Sequence, residues 1–218
     1  MTARLMLNRA HYPVTTLGPG VRAGIWVQGC TIGCHGCASR DTWAADARRL
    51  VDVDQLVGWL ASLPGIQGLT VTGGEPFQQA EAVGTLLAEV RGWASRQGRT
   101  VDILVYSGYT YGALTRRNGA AALLALCDAV ITGPYIDRLN PGGPWRGSAN
   151  QKLIPLSELG RERFGDADEP AAREQRLQFS SDGQRLWLIG IPGRGDLGRF
   201  ERELMSRGVS IDGDSWHD

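Results

Sequence analysis

The stretch RAGIWVQGCTIGCHGC, Arg22–Cys37, decides how this chain is read. Its first part, Arg22–Gln28, is a short apolar run of β-formers and predicts a buried strand. Its second part sets three cysteines, Cys30, Cys34 and Cys37, within eight residues. A strand that delivers ligating side chains at its C-terminal end belongs to a parallel α/β sheet, where ligands sit beyond the carboxyl ends of the strands.

Outward from this stretch, short apolar runs alternate with helical patterns. Asp52–Ser62 carries Val53, Leu56, Val57 and Leu60 at helical spacing and stops at Pro64-Gly65. Leu69–Thr72 predicts a second strand, followed at once by Gly73-Gly74-Glu75-Pro76. Phe77–Gln97 predicts a long helix with Val83, Leu86, Leu87 and Val90 on one face. Val101–Tyr106 is a third strand leading into Ser107-Gly108-Tyr109. One helix through Leu114 and another over Ala120–Leu126 precede a fourth strand, Ala129–Thr132. Asp137–Gln151, with Pro141-Gly142-Gly143-Pro144, reads as an irregular loop, and Lys152–Leu156 as a further strand. Strands alternating with helices mean βαβ units and a mostly parallel sheet.

Beyond this unit, Arg161–Arg173 is charged with few large apolar residues and reads as a solvated linker or mobile loop. Leu177–Ser180 and Arg185–Ile189 flank Asp182-Gly183 as a hairpin, and Asp196–Ser206 predicts a helix with Leu197, Phe200 and Leu204 on one face. Gly208–Asp218 receives no assignment. The fold class is α/β: an open, partial (β/α) barrel with a mostly parallel sheet over residues 1–156, and a small C-terminal α+β appendage over residues 157–218.

Composition narrows the function. The 218 residues fit one large domain, and 23 basic against 23 acidic side chains leave no net charge. Such a chain has no electrostatic footprint for gripping a phosphate backbone, so a nucleic-acid partner is not expected. No apolar run approaches the roughly 20 residues that span a bilayer, and Met1–Asn8 is too short and too charged for a secretory signal. The expectation is a soluble, cytoplasmic protein without a membrane partner. Lys152 is the single lysine beside 22 arginines, a bias of composition more than of function.

Clustered thiols in such a chain point to metal ligation rather than to disulfides. Structural zinc wants four closed ligands, and here a fourth must come from His35 or His11. A four-iron cluster takes one thiolate per iron, so three thiolates hold three irons and leave the fourth open. Gly33 and Gly36 permit the tight loop that a cubane needs. The donor count favours the four-iron cluster, with zinc and a purely structural loop as the alternatives. Cys127, in an Ala/Leu-rich segment, reads as a small buried hydrophobe, and Trp26, Trp59, Trp93 and Trp187 as core packing.

The C-x3-C-x2-C loop after an apolar strand, followed by Gly73-Gly74-Glu75-Pro76, resembles the radical S-adenosylmethionine enzymes. Within that superfamily the chain is most similar to the glycyl-radical activating enzymes, especially those serving anaerobic ribonucleotide reductase. The likeness runs in order from about residue 8 to 155. It rests on Gly18-Pro19-Gly20-Val21-Arg22, on Gly36-Cys37 with Asp41-Thr42-Trp43, and on Ser107-Gly108-Tyr109, Gly133-Pro134-Tyr135 and Trp145-Arg146-Gly147-Ser148-Ala149-Asn150-Gln151. Ala38 stands where the family often has an aromatic, and Thr132 where an acidic residue is usual.

The resemblance implies a [4Fe-4S] cluster on Cys30, Cys34 and Cys37, with S-adenosylmethionine on the open iron. It places the backbone of Gly36, Cys37 and Ala38 beside the adenine, and Gly73, Gly74, Glu75 and Pro76 around the amino group. Ser107 is a candidate for a ribose or carboxylate contact. Reductive cleavage then gives a 5′-deoxyadenosyl radical, which generates a glycyl radical on a partner such as anaerobic ribonucleoside-triphosphate reductase. Arg146, Asn150 and Tyr109 line the mouth or brace its loop, and a flavodoxin or ferredoxin supplies the electron. The alternatives are a radical enzyme modifying another peptide or a small molecule, favoured by the long tail, and a noncatalytic iron–sulfur or zinc module. The Gly73–Pro76 turn argues against the last.

Overall fold

The computed structural model describes residues 3–165, 177–211 and 213–216. In chain order it runs β1 (Arg4–Val14), β2 (Arg22–Val27), β3 (Leu50–Asp52), α1 (Val53–Ser62), β4 (Gly68–Gly73), α2 (Ala80–Arg96) and β5 (Asp102–Ser107). There follow α3 (Tyr111–Leu114), α4 (Ala120–Leu124), β6 (Ala129–Thr132), β7 (Lys152–Pro155), α5 (Glu158–Phe164), β8 (Leu177–Ser181), β9 (Leu186–Gly190) and α6 (Asp196–Ser206).

Seven strands form one open sheet in the order β3-β1-β2-β4-β5-β6-β7. The middle four, β2, β4, β5 and β6, are parallel, while β1 and β7 run antiparallel to their neighbours. This is the expected α/β class, with the carboxyl ends of the four parallel strands on one edge. Those strands are almost wholly buried because both faces are covered, and that explains their unbroken apolar runs.

On one face Ile25, Val27, Leu69, Val71, Ile103, Val105 and Val130 pack against α1, α2 and α4. Helix α2 contributes Val83, Leu86, Leu87, Val90 and Trp93 at the spacing of one helical stripe. On the other face Leu104, Ala129 and Ile131 meet Phe164 of α5, and Val14, Leu17 and Trp26 meet Ile189 of β9. The β8–β9 hairpin and α6 lie as the sequence predicts. Gln178 of β8 donates to Pro13 O at 2.7 Å, and Thr16 donates to Ile189 O at 3.1 Å.

Four elements differ from the sequence expectation, the first being β3, a three-residue edge strand just before α1 that was not predicted. Strand β1 was not predicted, since its Arg, Asn, His and Pro residues break any period-2 pattern and most of it is half-buried. The helix expected from Phe77 begins only at Ala80. Pro76–Gln79 forms a 3₁₀ turn whose Phe77 N–H is capped by the Glu75 side chain at 3.0 Å. The start of the expected linker Arg161–Arg173 belongs to helix α5, N-capped by Ser157, because Phe164 is buried against β5 and β6. The rest of that linker lies outside the described residues.

Candidate iron–sulfur site

The cysteine loop leaves the end of β2 and is pinned at both limbs. Gly29 N–H donates to Thr42 O at 2.7 Å and Cys30 N–H to Trp43 O at 3.0 Å. Buried Gln28 accepts from Asn8 at 2.8 Å and donates to Asp41 O at 3.0 Å. The three cysteines lie between these ties, free and half-buried.

Their sulfurs share one electrostatic environment. Burial pushes the Cys30 and Cys34 thiols up, and each is raised further by Cys37 and by Glu75. Backbone N–H groups oppose this: those of Ile32 and Gly33 at Cys30, and that of Tyr135 at Cys34. Ser39 N–H donates to Cys37 Sγ at 3.4 Å. Such N–H donors stabilise thiolate charge and tune iron–sulfur centres. Among the described residues no three His, Cys, Asp or Glu side chains converge on a site for a single metal ion. A cubane makes no such demand, because each thiolate binds its own iron. The donor set fits a cluster held by three thiolates.

The histidines of the zinc alternative do not join the thiols in a three-ligand site among the described residues. His35 is exposed, and the His11 ring lies 5.4 Å from that of Trp187. Cys127 is buried, donates to Leu123 O at 3.2 Å, and its thiol is pushed up to about 12 by burial.

The end of β4 is sutured to this loop. Gly74 N–H donates to Val27 O at 2.8 Å and Glu75 N–H to Gly29 O at 2.9 Å. The approach is so close that a Cβ on Gly73, whose φ is +94°, would lie 2.7 Å from the Trp26 backbone. Gly36 also has a positive φ, +77°, and a Cβ there would lie 3.3 Å from the Tyr135 ring.

Glu75 points inward. Its Oε1 accepts from Phe77 N–H and Ser107 Oγ, each at 3.0 Å, and its Oε2 accepts from Gly108 N–H at 2.8 Å. Burial pushes the carboxyl up to about 7 against these donors and the charge of Arg117. Ser107 is committed inside the protein: it donates to Glu75 and accepts from Tyr109 N–H at 3.1 Å. Gln78 then links three segments, accepting from Thr31 N–H at 3.2 Å and donating to Thr31 Oγ1 at 2.7 Å and Tyr109 Oη at 2.9 Å. The Arg117 guanidinium stacks 4.1 Å from the Tyr109 ring centre. An open groove of about 760 Å³ lies alongside, between Gln78 and Glu81 on one wall and Arg117 and Asn118 on the other.

The stretch after β6 braces itself. Gln151 accepts from the N–H groups of Gly147 and Ser148 at 2.8 and 3.1 Å and donates to Gly133 O at 3.0 Å. Asn150 donates to Pro134 O at 2.8 Å, holding the segment whose Tyr135 N–H reaches Cys34. Arg146 lies in this loop, its N–H on Gly143 O at 3.0 Å.

Cys30, Cys34, Cys37, Gly36, Ala38, Gly73–Pro76 and Ser107 thus gather at the carboxyl edge of the sheet, with Tyr109 joined through Gln78. Sequence reading missed Gln78, Gln28 and Ser215. A glutamine carries no spacing signal, and Ser215 lies in the unassigned tail, where it donates to Ala38 O at 2.9 Å.

Comparison with known proteins defines the class. Residues 16–154 match the model of the 4Fe-4S single cluster domain, and the chain belongs to that family. Relatives of the chain carry the name anaerobic ribonucleoside-triphosphate reductase-activating protein. That of Haemophilus influenzae is 35% identical over 147 residues, 65% of this chain and 92% of its own length. That of enterobacteria phage T4 is 33% identical over 140 residues, covering 62% and 85%, and that of Vibrio cholerae 31% over 149 residues, covering 66% and 94%. These relatives agree with the likeness read from the motifs. Among the described residues no helix is long and apolar enough to cross a membrane.

Proposed function

We propose that this chain is a radical activating enzyme whose partner is an anaerobic ribonucleoside-triphosphate reductase. A [4Fe-4S] cluster on Cys30, Cys34 and Cys37, when bound, supplies an open iron and one electron for cleaving S-adenosylmethionine to methionine and a 5′-deoxyadenosyl radical, which takes hydrogen from a glycine Cα of the partner. The observation that carries this reading is the joining of Gly74 and Glu75 to Val27 and Gly29, beside Cys30. It brings the Gly73–Pro76 turn next to the three-thiol loop, which supports reading that turn as the ammonium site.

The residues divide the work. Gly36, Cys37 and Ala38 form the wall for the adenine. Gly73 and Gly74 offer the substrate ammonium carbonyl oxygens, since the Gly74 and Glu75 N–H groups are already engaged. Glu75 and Ser107 act from behind that turn and hold it to β5, and Glu75, when ionised, adds negative charge. Pro76 fixes the exit of the turn. Tyr109, Arg146 and Asn150 shape the mouth through which the partner's loop enters. The open sheet over residues 1–156 serves as the partial barrel, with residues 157–218 appended, and a cytoplasmic flavodoxin or ferredoxin is the electron donor.

The test uses anaerobically reconstituted protein with dithionite, S-adenosylmethionine and a purified anaerobic ribonucleoside-triphosphate reductase. A glycyl-radical EPR signal on the reductase chain, absent with Cys34→Ala, is the expected result. Methionine and 5′-deoxyadenosine formed with no radical on that chain would move the activity to another peptide or a small molecule.

A further inference from the structure

We infer that Ser215, in the C-terminal segment, tunes the reduction potential of the cluster through the Ala38–Ser39 peptide group, an inference that rests on the four-iron reading above. The segment Gly213–Trp216 returns to the cysteine loop from outside the family match, which ends at residue 154. It docks at two points: Arg40 N–H donates to Ser215 O at 2.7 Å, and Ser215 Oγ donates to Ala38 O at 2.9 Å. Its other side is anchored by Trp216, whose indole Nε1 donates to Glu201 of α6 at 2.5 Å and whose backbone N–H donates to Asp214 at 3.0 Å.

The carbonyl held by Ser215 and the N–H of Ser39 belong to one peptide group. That N–H donates to Cys37 Sγ at 3.4 Å. Ser215 Oγ, Ala38 C=O, Ser39 N–H and Cys37 Sγ therefore form a single hydrogen-bonded series. A donor on the carbonyl polarises the peptide and strengthens its N–H as a donor. A stronger N–H···S bond stabilises the more negative cluster, and hydrogen bonds to the sulfurs are among the factors that set iron–sulfur potentials. The step biased is the addition of one electron from an external low-potential donor to the oxidised cluster, with no bond to the protein formed or broken. Ser215 is a positioning residue in this scheme, acting on Cys37 through the peptide.

The docking also covers the residue that follows the last cysteine. Ser39 O accepts from Thr42 N–H and Oγ1 at 3.1 and 2.6 Å, so Ala38–Arg40 is held on both sides. A hydroxyl at position 215 is what the scheme requires, so threonine should replace serine and alanine should not.

The experiment is an anaerobic EPR-monitored titration of the reconstituted full chain with titanium(III) citrate, comparing wild type, Ser215→Ala and Ser215→Thr at matched iron and sulfide content. The expected result is a roughly three- to tenfold smaller reduction equilibrium constant in Ser215→Ala, tenfold being about 59 mV for one electron, with Ser215→Thr near wild type. Equal potentials in all three proteins overturn the inference. Equal shifts in both variants also overturn it, because displacement of the segment rather than loss of the hydroxyl would then be the cause. A wild type that assembles no four-iron cluster fails at the iron and sulfide analysis, and there it is the underlying reading that falls. Normal assembly without S-adenosylmethionine cleavage removes the proposed activity and leaves the potential comparison standing.

Discussion

Gln78 grips Thr31 at two points, accepting from its N–H at 3.2 Å and donating to its Oγ1 at 2.7 Å. Thr31 follows Cys30, and Gln78 sits in the 3₁₀ turn after Glu75. With its bond to Tyr109 Oη, this one side chain fixes the spacing between the thiol loop, the Gly73–Pro76 turn and the end of β5. Gln78→Leu removes up to three hydrogen bonds of about 0.5–1.5 kcal/mol each. We expect iron content to be unchanged and the S-adenosylmethionine concentration for half-maximal 5′-deoxyadenosine formation to rise roughly tenfold. An unchanged concentration dependence would remove Gln78 from the site.

The pair Arg22–Asp102 is a structural prediction. Both side chains are fully buried at 2.6 Å, and Arg22 also donates to Thr70 at 2.7 Å and Leu69 O at 2.9 Å. Arg22→Met strands the buried Asp102 charge, leaving Arg163 at 3.6 Å as its remaining cation among the described residues. Anaerobic urea unfolding should show a loss of about 3–5 kcal/mol. The double variant Arg22→Met/Asp102→Leu should recover much of it, and a double variant no better than the single would contradict the account.

Thiol reactivity separates Cys127 from the others. Its burial and a thiol pushed up to about 12 make it inert, whereas the loop cysteines are half-buried. After chelation of the iron, iodoacetamide at pH 8 should modify Cys30, Cys34 and Cys37 and reach Cys127 only after unfolding. Peptide mass spectrometry reads this directly, and rapid labelling of native Cys127 would contradict the packing.

Glu75 carries a pH signature. Its carboxyl rises from 4.5 to about 7 on burial, so between these values the folded chain holds a proton that the unfolded chain has lost. The stability of wild type relative to Glu75→Gln should therefore fall as pH rises through this window, by about 3 kcal/mol in total. Urea unfolding of both proteins from pH 4 to 8 checks it. A difference independent of pH would show that the carboxyl titrates normally.

Much of this arrangement was legible in the sequence because it rests on local chemistry. The runs at Arg22–Gln28, Leu69–Thr72, Val101–Tyr106 and Ala129–Thr132 are apolar since the sheet is covered on both faces, and they marked the parallel core directly. The cysteine spacing and Gly73–Pro76 marked the edge where the loops meet. Strand β1 stayed hidden because its half-buried residues share no period, and helix α5 because its single buried aromatic, Phe164, sits among charges. The side-chain ties of Gln78, Gln28 and Ser215 span 47, 13 and 177 positions, and no local pattern encodes pairings of that kind.

The central claim, that the three-thiol loop and the adjoining turn form one site for S-adenosylmethionine cleavage, is tested most directly by product formation. Anaerobically reconstituted wild type, reduced with dithionite and given S-adenosylmethionine and the reductase partner, should form 5′-deoxyadenosine, and Cys34→Ala should form none. A wild type with a full four-iron cluster that yields no 5′-deoxyadenosine, with or without the partner, would contradict it.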